Sequence, residues 1–373
     1  MSVLTIQQQV AAILATAGVK INGPDAWDLQ VHDERFYKRI LTDGTLGLGE
    51  AYMDGWWDCE SIDQFVFKVL KADLYKTAKL GWRSVLQLLL AKMLNMQAKG
   101  KAARNAQRHY DIGNKLYQLM LDKRMTYSCG YWKNAYNLDQ AQENKLDLIC
   151  RKLYLQPGQR VLDIGCGWGS FAKYAAEKYG AEVVGITVSE EQAALGSEMC
   201  KGLPIEIRLQ DYREIKEPFD YIVSVGMFEH VGYRNHRTFM QVAARCLKDN
   251  GLFLLHTIGH NYSRTSADPF TDTYIFPNCL IPSIKQLGGA MEHIFMVEDW
   301  HNFGPYYDPT LMAWFHNFDS NWPQLQGEYG ERFYRMWKYY LLSSAGSFRA
   351  RHNQLWQLVL SKKGIVGGYE AVR

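Results

Sequence analysis

The sequence has no CxxC pair: its seven cysteines stand apart at Cys59, Cys129, Cys150, Cys166, Cys200, Cys246 and Cys279. An odd, dispersed set of this kind argues against a zinc ribbon or a disulfide framework, and it predicts no metal site and a reducing compartment. Long hydrophobic runs are also lacking. The most apolar stretch, "VLQLLLAKML" (85–94), is broken by Gln87 and Lys92, well short of the roughly 20 residues of a membrane-spanning helix. The opening "MSVLTIQQQVAAILATAG" has no basic n-region, so the expected location is cytoplasmic. There is no internal repeat and no low-complexity tract. What is present is ordinary for a globular chain of 373 residues, 47% hydrophobic and 22% charged, long enough for two or three domains.

The small net charge of +3 hides an asymmetry. Between residues 68 and 115 stand Lys68, Lys71, Lys76, Lys79, Arg83, Lys92, Lys99, Lys101, Arg104, Arg108 and Lys115, against only Asp73 and Asp111. A basic segment rich in leucine and carrying Trp82 suits an anionic surface, and the leucines favour lipid over nucleic acid. The plain alternative is a linker helix with a solvated basic face.

Three parts are expected. Residues 1–75, punctuated by glycine and carrying Trp56 and Trp57, read as a small N-terminal α+β domain that associates with lipid or membrane. Residues 76–104 read as a basic helical connector, and residues 105–373 as the catalytic domain. In the last part, Leu138, Ala141, Lys145, Leu146, Ile149 and Leu153 recur at helical spacing behind Asn137 as N-cap. Apolar runs then alternate with helical stretches: "RVLDIG" (160–165), "EVVGITV" (182–188), "IEIRLQ" (205–210), "YIVSVG" (221–226) and "GLFLLHTIG" (251–259). This alternation predicts an α/β fold with a parallel, doubly wound sheet, which "HIFMVEDW" and "QLWQLVLSKK" would complete. The long insertion before "HIFMV" is of the kind that forms lids or pockets.

At the first βα junction, "VLDIGCGWGSF" sets Gly165, Gly167 and Gly169 behind Asp163. Such glycines let the backbone turn tightly and approach a ligand at a helix N-terminus. The G-C-G-W-G spacing behind an acid favours S-adenosylmethionine (SAM) over a dinucleotide, Asp163 meeting the cationic amino group. The second strand ends without an acid for a ribose, so Thr187, Ser189 and Gln192 are expected there. Asp211 and Tyr212 stand where an adenine would lie, the alternative for both being an ordinary turn. The fourth strand runs into Glu229 and His230. Because strand ends of such sheets are where ligands bind, Glu229 reads as a site acid rather than a turn cap. His230 and His301 read as structural or supporting. The late aromatics, such as Tyr334, Trp337, Tyr340 and Leu341, fit either an acyl channel or plain helix core.

Taken in order, "YSCGYW", "VLDIGCGWG", "GMFEHVG", "LLHTIG", "MVEDWHNFG" and "GSFRAR" resemble the cyclopropane-fatty-acyl-phospholipid synthases, over essentially the whole chain and least before residue 105. The resemblance implies a Rossmann-like SAM-dependent methyltransferase that adds a methylene group from SAM across the cis double bond of unsaturated acyl chains in membrane phospholipids. It further implies a bound bicarbonate held by Cys129, Glu229, His256, the backbone of Ile258 and Tyr307, with Tyr306 the alternative to Tyr307. Tyr127 and Ser128 would face the methionine part of SAM. A homodimer bound peripherally to the membrane is implied, with unsaturated phospholipid and no nucleic acid as partner; no base-flipping Asn-Pro-Pro-aromatic run is present. A bare carboxylate at Glu229 would also serve as base, and the residues alone leave that open. The rival within the same fold is a small-molecule N- or C-methyltransferase.

Overall fold

The computed structural model describes residues 5–72 and 113–373; the expected connector 76–104 lies outside them. The described residues form two compact units, the first built from residues up to Leu116 with Ala267–Asn278 and Trp314–His352, the second from Tyr117–Ser266, Cys279–Ala313 and Asn353–Arg373. The linear boundaries expected from sequence are therefore drawn differently: two segments from the later half of the chain belong with the N-terminal residues. Their apolar faces explain it. In the helix Gln326–Arg349, Trp337, Tyr339, Tyr340 and Leu341 are buried, and Tyr339 lies 5.7 Å from Tyr52 and 6.3 Å from Trp57, ring to ring.

In this first unit the helices Ile6–Ala15, Arg35–Met53 and Ile62–Lys71 surround a two-stranded antiparallel ribbon, β1 (Gln30–Val31) and β2 (Trp57–Asp58). Trp57 is fully buried and donates its indole N–H to Leu48 O at 3.0 Å. It is core rather than half of a surface aromatic patch; Trp56 instead stacks under the guanidinium of Arg35 at 4.5 Å. The late helix is locked on by ions as well as rings: Arg335 donates to Asp58 at 2.7 Å and Arg349 to Asp63 at 2.6 Å. Gly346 has no room for a side chain, since a Cβ would sit 2.3 Å from Asp63 O. The late aromatics thus supply helix core.

The second unit is built on a seven-stranded sheet of β3 (Arg160–Ile164), β4 (Glu182–Thr187), β5 (Ile205–Leu209), β6 (Phe219–Val225), β7 (Leu247–His260), β8 (Met296–Asn302) and β9 (Asn353–Ser361), in the order β5-β4-β3-β6-β7-β9-β8. β5, β4, β3, β6 and β7 are parallel, whereas β9 runs antiparallel to both β7 and β8. Every apolar run expected as a strand is one, while the reversed last strand departs from an all-parallel sheet. Its position buries it on both sides, in keeping with the unbroken burial from Gln354 to Ser361. Helices cover both faces. The helix Leu138–Lys152 begins at Asn137, whose side chain accepts Gln140 N–H at 2.9 Å, as the sequence predicts. Ile149, Leu153, Phe171 and Ala175 form one apolar layer with Val161 and Val183; Phe239 and Ala243 form the other with Leu162 and Ile222. This double wrapping leaves the carboxyl ends of β3, β4, β6 and β7 as the edge where polar groups gather. Among the described residues no helix is long and apolar enough to cross a membrane.

Candidate active site

The turn after β3 is shaped by backbone that side chains resist. Gly165 has φ +82°, and a Cβ on it would meet Met227 at 2.5 Å; Gly169, at φ +80°, opens the helix Ser170–Tyr179. Gly167 is also left-handed, at φ +56°. Asp163, one residue from the end of β3, is 2% exposed, and burial pushes its carboxyl up to about 7 against the pull of the Lys145 ammonium. Trp168 of the turn stacks 5.0 Å from Tyr117, which in turn meets Tyr127 at 5.2 Å. Tyr127 therefore stands in an aromatic wall beside the glycine turn. Ser128 is near the end of β6: its Cβ is 3.8 Å from where a Cβ of Gly226 would be.

The residues expected for ribose form one hydrogen-bonded knot after β4. Thr187 Oγ1 donates to Gln192 Oε1 at 2.8 Å and accepts from Ser189 N–H at 3.2 Å, while Ser189 caps the next helix by accepting Gln192 N–H at 3.3 Å. Asp211 is less free than expected. It accepts the Arg213 backbone N–H at 2.9 Å and pairs with the Arg213 guanidinium at 2.6 Å, which holds its carboxyl below the usual range. That is the ordinary-turn alternative in its geometry. Tyr212 rests its ring 5.2 Å from Phe239.

On the other side, the ends of β6 and β7 carry the expected reactive residues. Glu229, in the short turn Phe228–His230, is 3% exposed and accepts Ile258 N–H through Oε1 at 2.7 Å. Oε2 has no partner among the described residues, and burial lifts the carboxyl to about 7, opposed by that backbone bond. His256 and Ile258 are two apart on β7 and so share a face. His256 is 1% exposed; its Nδ1 lies 3.2 Å from Gln357 Nε2, its cross-strand partner in the β7–β9 register. A Gln357 amide that donates to Nδ1 puts the proton on Nε2, which has no partner among the described residues, and a flipped amide puts it on Nδ1. Burial, then the charges of Lys145 and Lys152, keep the imidazole neutral far below its usual pKa. Ile258, Tyr306 and Tyr307 pack with Cys129 and Phe303 in a single apolar cluster, and Phe303 lies 5.7 Å from the His256 ring. The five expected residues are thus brought together, Tyr306 as well as Tyr307. Burial raises the Cys129 thiol far above its normal range, so it is an S–H group, not a thiolate nucleophile. The Ile258 N–H is already given to Glu229.

Four supporting residues carried weaker signals. Gln142 donates to Ser128 O at 2.7 Å and Lys145 to Ser128 Oγ at 2.7 Å; Lys145 stood out in sequence only as a lysine within an apolar stripe. Gln357 is a polar residue facing inward from an apolar strand. Thr310, fully buried, accepts from Gly130 N–H at 3.1 Å and Trp132 Nε1–H at 2.9 Å and donates to Tyr306 O at 2.8 Å. Nothing local in the sequence marks it.

The geometry joins a glycine-rich turn to buried polar atoms that have no partner among the described residues. The family model described as mycolic acid cyclopropane synthetase matches residues 97–358. A cyclopropane-fatty-acyl-phospholipid synthase of Escherichia coli (strain K12) is 50% identical over 361 residues, covering 97% of this chain and 94% of that protein. The crystal structure of mycolic acid cyclopropane synthase CmaA1 complexed with SAH and CTAB is similar at a TM-score of 0.65 and 33% identity, covering 69% of this chain and 98% of that one. Coclaurine N-methyltransferase has a TM-score of 0.68 over 86% of this chain and 99% of its own, at 20% identity, a likeness of fold alone. This chain belongs to the mycolic acid cyclopropane synthetase family.

Proposed function

We propose that the protein is a cyclopropane-fatty-acyl-phospholipid synthase, adding a methylene group from SAM across the cis double bond of a phospholipid acyl chain, with bicarbonate as the base. The observation that carries the reading is the pair of buried, unpartnered atoms Glu229 Oε2 and His256 Nε2, set beside Cys129, Ile258 and Tyr307. SAM, held by the glycine turn with Asp163, Tyr127 and Ser128, would supply an activated methyl on a sulfonium. Bicarbonate would supply a base small enough to lie among side chains and too poor a nucleophile to be trapped.

The protein must keep water from a cation within the acyl chain, hold an anion, and leave one proton a place to go. Cys129 at 0% and Phe303 at 4% exposure make the surroundings apolar, so any charge there is strongly felt. With its carboxyl raised to about 7, Glu229 is protonated when a second anion approaches, and it donates from Oε2 rather than repelling. His256, neutral and protonated on Nε2, offers another donor. Gln357 donating to Nδ1 would hold that tautomer, and the Ile258 N–H holds Glu229 through Oε1. Without an anion these donors stay unsatisfied, which is costly in a buried site.

The test is mass spectrometry of monounsaturated phospholipid vesicles after incubation with the protein and SAM. The acyl chain should gain the mass of one CH2 group and lose its alkene reactivity. Glu229→Gln should bind SAM normally yet turn over about 10²-fold more slowly. Turnover should fall in buffer stripped of carbon dioxide and recover on adding bicarbonate; indifference to bicarbonate would leave Glu229 itself as the base. An unaltered lipid with SAM bound would favour the small-molecule methyltransferase reading.

We read the enzyme further as a homodimer at an anionic membrane surface. The charge of residues 68–115 supports the membrane contact, and reversing Lys99, Lys101 and Arg104 should weaken binding to anionic vesicles without changing binding to neutral ones. Light scattering would check the dimer.

A further inference from the structure

Past β9, residues 369–373 return to the body of the second unit and are pinned there at several points. Tyr369 donates its hydroxyl to Lys152 O at 2.9 Å, and the Tyr154 hydroxyl donates to Glu370 O at 2.7 Å while accepting Glu370 N–H at 3.1 Å. Val372 packs on the apolar cluster that holds Cys129, Tyr306 and Tyr307. Arg373 grips both Asp299 oxygens, each at 2.6 Å. Asp299 is 8% exposed and also faces Lys152, which is fully buried, its Nζ 3.6 Å from Asp299 Oδ2 and 3.1 Å from His301 Nδ1. Two cations share one carboxylate, and Asp299 opposes the burial that draws Lys152 down to about 7. Burial and then those two cations lower His301 to about 3, so its ring is neutral and can accept from the Lys152 ammonium. The reading above uses none of these ionic groups.

Strand register carries this cluster to the reactive end of the sheet. His301 pairs with Gln357 across β8 and β9, and Gln357 pairs with His256 across β9 and β7. Residues directly opposite on neighbouring strands share a face. The three side chains therefore form one transverse row, closed by the 3.2 Å contact of Gln357 with His256. Asp299 and His301 are two apart on β8 and share a face as well. That strand runs on through Phe303 into the turn Gly304–Tyr306 and then Tyr307. His301 also meets the rings of Phe303 at 4.9 Å and Tyr131 at 5.8 Å. Whatever holds Asp299 and His301 holds both the entry to the tyrosine turn and the row that ends on His256.

We propose that Arg373 is a positioning residue: its ion pair with Asp299 holds Lys152 and His301 in place, and through the row His301–Gln357–His256 it sets the imidazole that meets the bound anion. The proposal rests on the reading of Glu229, His256 and Tyr307 as a bicarbonate site. Arg373 touches no reacting group. It acts because a misplacement of about 1 Å among groups that must be aligned can cost about 10²-fold in rate. If the Arg373 guanidinium is lost, Asp299 faces Lys152 alone, and both can shift along β8 toward each other.

The experiment measures turnover of the full chain on dioleoyl-phosphatidylglycerol vesicles over a series of bicarbonate concentrations, beside calorimetric titration with S-adenosylhomocysteine. Arg373→Ala should turn over about 10-fold more slowly and need several-fold more bicarbonate for half its maximal rate. Its affinity for S-adenosylhomocysteine should stay within about twofold of the unaltered protein. Arg373→Lys, which keeps the charge without the two-pronged grip, should recover part of the loss. A bicarbonate requirement unchanged in Arg373→Ala would overturn the proposal and leave the bicarbonate reading standing. Parallel losses of turnover and S-adenosylhomocysteine affinity, the mark of general loosening, would overturn it too. Indifference of the unaltered protein to bicarbonate would overturn the bicarbonate reading, and this role with it. Should Arg373→Ala not fold, Arg373→Lys carries the comparison: a raised bicarbonate requirement at unchanged S-adenosylhomocysteine affinity supports the role, and an unchanged requirement overturns it.

Discussion

Thr310 joins the cysteine loop to the tyrosine pair through a single oxygen. That hydroxyl accepts Gly130 N–H and Trp132 Nε1–H and donates to Tyr306 O, and it lies 3.9 Å from Cys129 Sγ. Thr310→Val keeps the shape and strands two buried donors, which costs about 2–4 kcal/mol. The unfolding midpoint should fall by roughly 5–10 °C in a thermal melt, and turnover should fall with it because the Cys129 loop loses its tether. A melt within a degree of the unaltered protein would show that Trp132 and Gly130 find other acceptors. Of the residues proposed to carry the chemistry, Glu229 was legible at this scale as an acid ending an apolar strand, whereas Cys129, His256, Ile258 and Tyr307 were named only through the family resemblance. Thr310 and Gln357 were not legible. Each is silent in its own segment and acquires a role only when a strand or loop far along the chain arrives beside it.

The same division holds for elements. Each strand of the seven-stranded sheet was legible from an apolar run, the two short strands of the ribbon were not, and the N-cap at Asn137 was legible from its place before a run at helical spacing. The place of β9 was not, because nothing in "QLWQLVLSKK" says that it slots between β7 and β8 and runs against both. Its register has a consequence for the site. Trp356 of β9 lies over Gly259 of β7 so closely that a Cβ there would sit 2.2 Å from the indole ring. Gly259→Ala must therefore push β7 and β9 apart, at about 1–3 kcal/mol for overpacking. The displaced strand carries Ile258, whose N–H holds Glu229 at 2.7 Å. Stability and turnover should decline together, and hydrogen exchange should show earlier opening at Ile258 than in the distant β4. An Ala variant with unchanged exchange at Ile258 would mean that the indole gives way instead of the strand.

Across the whole molecule, buried titratable groups pull stability in opposite directions as pH falls. Burial lowers His236 to about 4 and His301 to about 3, and holds His256 well below its usual value. The unfolded chain protonates these histidines below about 6.5 while the folded chain resists, so each withdraws stability as the solution is acidified. His301 is partly exposed, and solvent screening reduces its share. Asp163 and Glu229 act the other way: raised to about 7, they take protons in the folded state first and add stability between about pH 7 and 4.5. Each fully divergent group changes stability by about 1.4 kcal/mol per pH unit. Asp122 is raised by burial and His230 lowered by it as well, so three rising contributions against four falling ones leave a shallow decline to about pH 4.5. Below that the unfolded carboxyls also bind protons, the opposition ends, and the fall steepens. Glu229→Gln isolates one contribution. The variant lacks the penalty of a buried carboxylate at pH 8, so it should exceed the unaltered protein in denaturant resistance there. That advantage should shrink by roughly 3 kcal/mol on acidification to pH 4.5, because only the unaltered protein gains by protonation. Urea titrations of both proteins at a series of pH values measure the difference directly. Parallel stability curves would show that Glu229 remains ionised in the folded state, and the reading of its Oε2 as a donor to a bound anion would fall with them.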